Sequence, residues 1–150
     1  RYIIDELKDF SSTTDNVILV PSLGGYNYHG ILALARDPER NILSIGNSSS
    51  GVKETACFGC PHINIGDRQK GRLTSNNVFN VPFCSEEIVS TAIKILNDRR
   101  SHNHMVNKVV DPYWHGGASQ LFYDFIVKIL QLPQSVLLIK TVDNTTLDIA

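Results

Sequence analysis

The stretch Gly-Asn-Ser-Ser-Ser-Gly-Val-Lys-Glu at residues 46–54 restricts the fold more than any other part of the chain. The apolar run Ile42-Leu43-Ser44-Ile45 before it reads as a short buried strand, and the small polar residues open a helix that carries Lys53, Glu54 and Phe58. A strand, a tight turn and a helix N-terminus gather free backbone N–H groups and the positive end of a dipole at one point, which favours an anion and above all a phosphate. Ser48, Ser49 and Ser50 add hydroxyl donors. Glu54 lies about one helical turn beyond Ser50, and its carboxylate would repel a phosphate placed close to it. An ionised carboxylate only accepts hydrogen bonds, so a pair of neighbouring sugar hydroxyls suits it. The set fits a nucleotide, with serines and amides on the diphosphate and Glu54 on the ribose. Serine-rich helix starts are also ordinary caps, and Glu54 also complements the dipole, so spacing alone leaves both readings open.

The downstream half adds weight to the nucleotide. Pro61-His62-Ile63-Asn64-Ile65 reads as the next strand, and a loop with Arg68, Lys70 and Arg72 follows its C-terminal end. In a parallel sheet both loops open on one edge, where open α/β sheets bind their ligands. Arg68 there offers phosphate a rigid donor fork. Lys70 and Arg72 fit solvated surface cations.

The remaining chain supplies alternating helices and strands. Ile3, Leu7 and Phe10 recur at helical spacing over residues 1–10, an amphipathic helix that needs an apolar neighbour, and residues 11–16 make a turn. Val17-Ile18-Leu19-Val20 is a continuous apolar strand stopped by Pro21, and Gly24-Gly25 leads to a helix with Ile31, Leu32 and Ala35 inside and His29 on its surface. Val78-Phe79-Asn80-Val81 reads as a strand. Ser85 then caps a helix with Glu86 and Glu87 in its first turn and Ile88, Val89, Ala92, Ile93 and Leu96 inside. A short polar helix is expected over residues 101–109, and Pro112, Gly116 and Gly117 break the chain before a helix over residues 119–132. Leu121, Phe122, Phe125, Ile126, Ile129 and Leu130 form its buried stripe. In the tail, Val136-Leu137-Leu138-Ile139 opens a strand or a helix and the last residues fray. Such alternation predicts an α/β fold with a parallel sheet covered on both faces and its strand C-termini on one edge.

At 150 residues with 42% hydrophobic and 19% charged residues, the chain is long enough for one core. Its formal charge of −1 exerts no general pull toward nucleic acid or an anionic membrane, so a phosphate site must be local. No apolar run reaches bilayer-spanning length. With neither an initiator Met nor a signal-peptide pattern, the sequence is expected to begin in mid-protein. Cys57 and Cys60 form a Cys-x-x-Cys pair, but Cys57 falls within a helix, Cys60 sits between Gly59 and Pro61, and no second close pair exists. Buried apolar cysteines are expected rather than a metal site or a redox couple. An odd number of cysteines argues against a secreted disulfide framework and for the cytoplasm. His102-Asn103-His104 reads as a polar helix surface and His115 as a structural histidine.

Gly-Asn-Ser-Ser-Ser-Gly-Val-Lys-Glu, followed by Phe58-Gly59, Pro61, Ile63-Asn64-Ile65-Gly66, Arg68-Gln69, Gly71-Arg72 and Asn77-Val78, resembles the hydrolysing UDP-N-acetylglucosamine 2-epimerases. Weaker similarity covers Pro21-Ser22-Leu23-Gly24 with Tyr28, and Asp111-Pro112-Tyr113 with Gly116-Gly117-Ala118-Ser119. The resemblance implies a Rossmann-like half-domain of a glycosyltransferase-B type fold. Residues 1–132 would form part of its C-terminal nucleotide-binding domain, and residues 133–150 a tail. It implies Ser48, Ser49 and Arg68 at the diphosphate of UDP-N-acetylglucosamine and Glu54 on the ribose, with Ser50 and Gly51 shaping the turn. In such enzymes UDP departs as the C2 proton is removed, and water adds to the glycal to give N-acetylmannosamine and UDP. The catalytic acid and base of the family come from segments upstream of this sequence, so no catalytic residue is assigned and the chain alone is expected to turn over nothing. The resemblance further implies no metal, no cofactor and a homo-oligomer when full length. A glycosyltransferase of the same architecture and a non-catalytic nucleotide-binding module share these features.

Overall fold

The computed structural model describes residues 2–98, 109–113 and 116–137. It divides into two compact units, residues 1–113 and 114–150. The first unit carries α1 (Tyr2–Thr13), α2 (Gly24–Ala33) with a 3-10 turn at Leu34–Arg36, β1 (Ser44–Gly46), α3 (Ser49–Lys53), α4 (Thr55–Phe58), β2 (His62–Ile65), β3 (Val78–Val81) and α5 (Ser85–Asn97). The strands form one parallel sheet in the order β1-β2-β3, with Ser44 opposite His62 and His62 opposite Val78. The expected parallel α/β architecture is therefore present.

Side chains alternate across a strand, and β2 divides the interior accordingly. Ile63 joins Val81 and Ile95 in a core on the α5 side, with Leu43, Ile65, Phe79, Ile88 and Ala92 packed around it. A second core holds Leu32, Ala35 and Cys60, flanked by Tyr28, Ile42 and Phe58. Where a central strand is usually apolar on both faces, β2 instead buries the polar residues His62 and Asn64 at 1% and 2% exposure.

The sequence reading needs correction at several elements. Residues 17–20 form no strand and pair with nothing in the sheet, and Ile18 stands 87% exposed. An apolar run becomes a strand only where a neighbouring ladder takes its N–H and C=O groups. Helix α1 runs past residue 10 to Thr13 and buries no residue. Leu32 in α2 and Ala35 in the 3-10 turn after it are buried as expected, whereas Ile31 is exposed. Cys84 occupies the N-cap of α5 and Ser85 is its first helical residue, its hydroxyl directed to Glu86. The inner stripe of α5 is Ile88, Ala92 and Ile95, while Val89, Ile93 and Leu96 are exposed. A single neighbouring sheet face covers only a narrow sector of the helix.

The second unit contains α6 (Ala118–Leu130) and α7 (Gln134–Leu137). The apolar stripe expected to be buried on α6 is instead largely open, with Leu121, Phe122 and Leu130 all more than 60% exposed. Residues 136 and 137 are helical, the helix alternative of the two expected for that part of the tail. Residues 101–108 of the polar helix expected over 101–109, with His102 to His104, His115 and the last residues, 138–150, lie outside the described residues. Among the described residues no helix is long and apolar enough to cross a membrane.

Candidate functional site

Chain geometry at the end of β1 produces the site. Ser48 takes the extended N-cap conformation, φ −73° and ψ 147°, and its Oγ accepts a hydrogen bond from the Ser50 N–H at 3.4 Å. The Ser50 hydroxyl donates to Ser48 Oγ at 3.1 Å and accepts from the Tyr28 hydroxyl at 3.3 Å. Tyr28 thus ties α2 to the turn. The expected single helix is broken at Glu54 into α3 and α4. Thr55 lies just past the break, and its hydroxyl donates to the Gly51 carbonyl at 2.5 Å, a side-chain bond that bends helices. The shortened α3 weakens the dipole argument and leaves the amides and hydroxyls of the turn as its donors.

Glu54 is half-buried, and its Oε2 meets His29 Nε2 at 2.7 Å. Sequence reasoning treated His29 as plain helix surface; it is exposed, yet bound to the one carboxylate in the motif. Twenty-five positions separate the two residues, so no local spacing could have shown the pair. The ring of His29 also sits against Tyr28 and Phe58, with centroids 5.7 and 5.3 Å away. A carboxylate offers about four acceptor positions, so the His29 contact leaves Glu54 able to receive further donors. Tyr28, His29, Ser50 and Glu54 line one open cavity of about 600 Å³ together with residues 20 and 22–25.

The other motif residues stand around this centre. Ser49 is half-buried at the first position of α3 and Ser48 is exposed at the turn. The Arg68 guanidinium reaches Asn47, the residue before Ser48, at 3.4 Å to Oδ1 and 3.5 Å to the carbonyl, and Gln69 Nε2 donates to the same carbonyl at 2.7 Å. The loops after β1 and β2 are therefore joined on one sheet edge. Gly51 does not face the cavity; it is buried against the ring of His62. Lys70 and Arg72 are exposed, as expected, and line a different cavity.

Burial pushes the His62 imidazole below its ordinary value of 6.5, with hydrogen bonding to Ser44 acting weakly the other way. The native ring is neutral near pH 7. Below about pH 6.5 the unfolded chain takes up a proton that the native ring resists, so stability present above that pH is lost as pH falls. Thermal midpoints recorded from roughly pH 8 to 5, with the imidazole followed by NMR, should drop on the acid side while this ring stays neutral. A ring that titrates normally would remove His62 as the cause.

The cysteines differ from expectation in one respect. Cys60 is fully buried and its thiol is pushed up to about 11 by desolvation. Cys57 is exposed rather than buried, because it lies on the outer side of α4, and its thiol donates to Asp111 Oδ2 at 3.0 Å. Desolvation of the sulfur and then the Asp111 carboxylate raise it to about 11 as well. Among the described residues no group of three or more His, Cys, Asp or Glu side chains is arranged to hold a metal ion.

Residues 1–127 match the sequence profile of a family described as UDP-N-acetylglucosamine 2-epimerase. The chain is 44% identical over 62 residues to the GDP/UDP-N,N'-diacetylbacillosamine 2-epimerase (hydrolyzing) of Campylobacter jejuni, covering 41% of this chain and 15% of that protein. It is 40% identical over 74 residues to the polysialic acid biosynthesis protein P7 of Escherichia coli, covering 49% and 18%. With the UDP-N,N'-diacetylbacillosamine 2-epimerase (hydrolyzing) of Legionella pneumophila it shares 31% over 93 residues, covering 62% and 23%. The matched stretch spans less than a quarter of the length of each of these relatives.

Proposed function

We infer, from the premise that this chain belongs to the UDP-N-acetylglucosamine 2-epimerase family, that the edge around residues 46–72 holds the UDP of a nucleotide-sugar substrate in a hydrolysing 2-epimerase. The observation that carries this reading is the convergence of the serine turn, the His29-bound Glu54 and the Asn47-bound Arg68 at the ends of β1 and β2. Two of the relatives carry a hydrolysing 2-epimerase name and a third is named for polysialic acid biosynthesis, which supports amino-sugar metabolism as the setting.

Ser48, Ser49 and Arg68 would meet the diphosphate, and Glu54 would accept from the ribose hydroxyls. Ser50 and Gly51 set the turn. In the reaction the bond from the anomeric carbon to the UDP oxygen breaks as the C2 proton leaves, forming a glycal. Water then adds across that double bond to give N-acetylmannosamine, the UDP having left in the first step. Negative charge grows on the diphosphate as it departs, so donors already aligned there act more strongly in the transition state than in the ground state. These residues receive binding roles, and acid–base catalysis is assigned to none of them. The chain alone binds UDP weakly and turns over nothing on this reading.

Calorimetric titration with UDP, UMP and GDP tests it. UDP should bind more tightly than UMP, which lacks the second phosphate. Arg68→Ala and Glu54→Gln should each weaken UDP about tenfold, the loss of one hydrogen bond to a charged group. Equal affinity in the parent chain and both variants, each shown to be folded, would overturn the assignment.

A further inference from the structure

Two consecutive residues of α2 reach the serine turn and the carboxylate that follows it. Tyr28 packs against the core of Leu32, Ala35 and Cys60, and its hydroxyl lies 3.3 Å from Ser50 Oγ. His29, the next residue, places Nε2 2.7 Å from Glu54 Oε2. An ionised carboxylate has no proton to give, so the hydrogen of this contact sits on Nε2 and His29 is the donor. The imidazole is held in turn by the rings of Tyr28 and Phe58. All of this surrounds the cavity that Tyr28, His29, Ser50 and Glu54 line.

The His29 and Glu54 side chains are 48% and 42% exposed, and a pair in that setting adds little to the stability of a fold. What the contact supplies is direction. Glutamate is among the side chains that lose most rotamer freedom when they are ordered. A carboxylate ordered before the ligand arrives spares binding that loss. His29 takes one of its roughly four acceptor positions, so the others remain for ligand hydroxyls. A carboxylate aimed in this way gains fully from each hydroxyl it meets. One that swings free must be ordered on binding, and the loss offsets much of the new hydrogen bond.

We propose that His29 is a positioning residue that aims Glu54 at the ribose and thereby sets the preference of this site for a ribonucleotide over a 2′-deoxyribonucleotide. The proposal rests on the placing of ribose at Glu54 and adds to it a residue that acts through the carboxylate.

The test is calorimetric titration of the full chain and its variants with UDP and 2′-deoxy-UDP. The parent chain should prefer UDP about tenfold, the effect of one hydrogen bond to a charged group. His29→Phe keeps an aromatic ring beside Tyr28 and Phe58 but has no N–H. It should reduce the preference to about twofold or less, while the affinity for 2′-deoxy-UDP and the melting temperature hardly change. His29→Gln carries an amide N–H at about the reach of Nε2 and should restore most of the preference. A merely structural role would weaken both ligands by the same factor.

That equal weakening, an undiminished preference in His29→Phe, a His29→Gln chain no better than His29→Phe, or tighter UDP binding by His29→Phe, the mark of a side chain that competes for the carboxylate, would overturn the proposal. Glu54→Gln, titrated alongside, separates the two levels. If it loses the preference while His29→Phe keeps it, ribose stays at Glu54 and only the role of His29 falls. If Glu54→Gln leaves the preference intact, or UDP does not bind the folded parent chain, both fall together.

Discussion

Gly51→Ala should destabilise the first unit by about 3 kcal/mol or more, a heavy penalty for one methyl group. In a helix, alanine normally gains about 1 kcal/mol over glycine. Here a Cβ on Gly51 would fall 2.2 Å from His62 Cε1 and 2.3 Å from Nε2. The ring has nowhere to go. His62 is 1% exposed on the central strand, with its Nδ1 3.0 Å from Ser44 Oγ. Accommodation would have to move α3 away from β2, and with it the serine turn.

Gly30→Ala in α2 provides the control, since its Cβ would meet nothing within 4 Å. That variant should hold or raise the melting temperature. At about 2–4 °C per kcal/mol for a chain of this length, the Gly51→Ala loss should reach at least roughly 6 °C in a thermal melt. A Gly51→Ala chain as stable as the Gly30→Ala chain would show that the turn does not rest on His62.

Asn77→Leu should be the next most damaging change, at about 2–4 kcal/mol. Asn77 is fully buried, and its Nδ2 donates both to the Cys60 carbonyl at 2.6 Å and to Thr55 Oγ1 at 2.9 Å. Thr55 passes the chain of hydrogen bonds on to the Gly51 carbonyl. The backbone of Asn77 also accepts from the His62 N–H at 2.9 Å. One amide therefore links the entry to β3, the entry to β2 and the helical segment after the turn. Leucine keeps the number and branching of the side-chain heavy atoms but strands the two acceptors. Asn41→Ala, at an exposed position before β1, should cost far less. Denaturant unfolding of the pair measures the difference, and similar midpoints would mean that the buried amide contributes no more than a surface one.

These two residues show where the sequence was legible and where it was not. Gly51 and Asn77 both stood in the motif that carried the family resemblance. Only the packing assigns them their physical work, one as clearance for a buried ring and the other as a hydrogen-bonding link that donates to two segments and accepts from a third. Asn64 and Gln69 likewise belonged to the motif, but that both amides are buried with their N–H groups bound across to Asn80 and Asn47 is decided by packing. His29 had no sequence signal at all, since its partner Glu54 lies on a different helical segment.

The apolar pattern by itself determined the parallel α/β order over β1, β2 and β3, the helical character of α1, α2, α5 and α6, and the placing of a serine turn and an Arg-bearing loop on one edge. Those properties follow from periodicity and from local turn chemistry, which act between residues close in the chain. Only the tertiary structure decided that residues 17–20 stay outside the sheet, that α5 buries Ile95 rather than Ile93, and that His29 clasps Glu54. Each of these depends on whether a distant segment arrives to supply a ladder, a covering surface or a partner charge, and a sequence pattern records the need for such a neighbour without recording its presence.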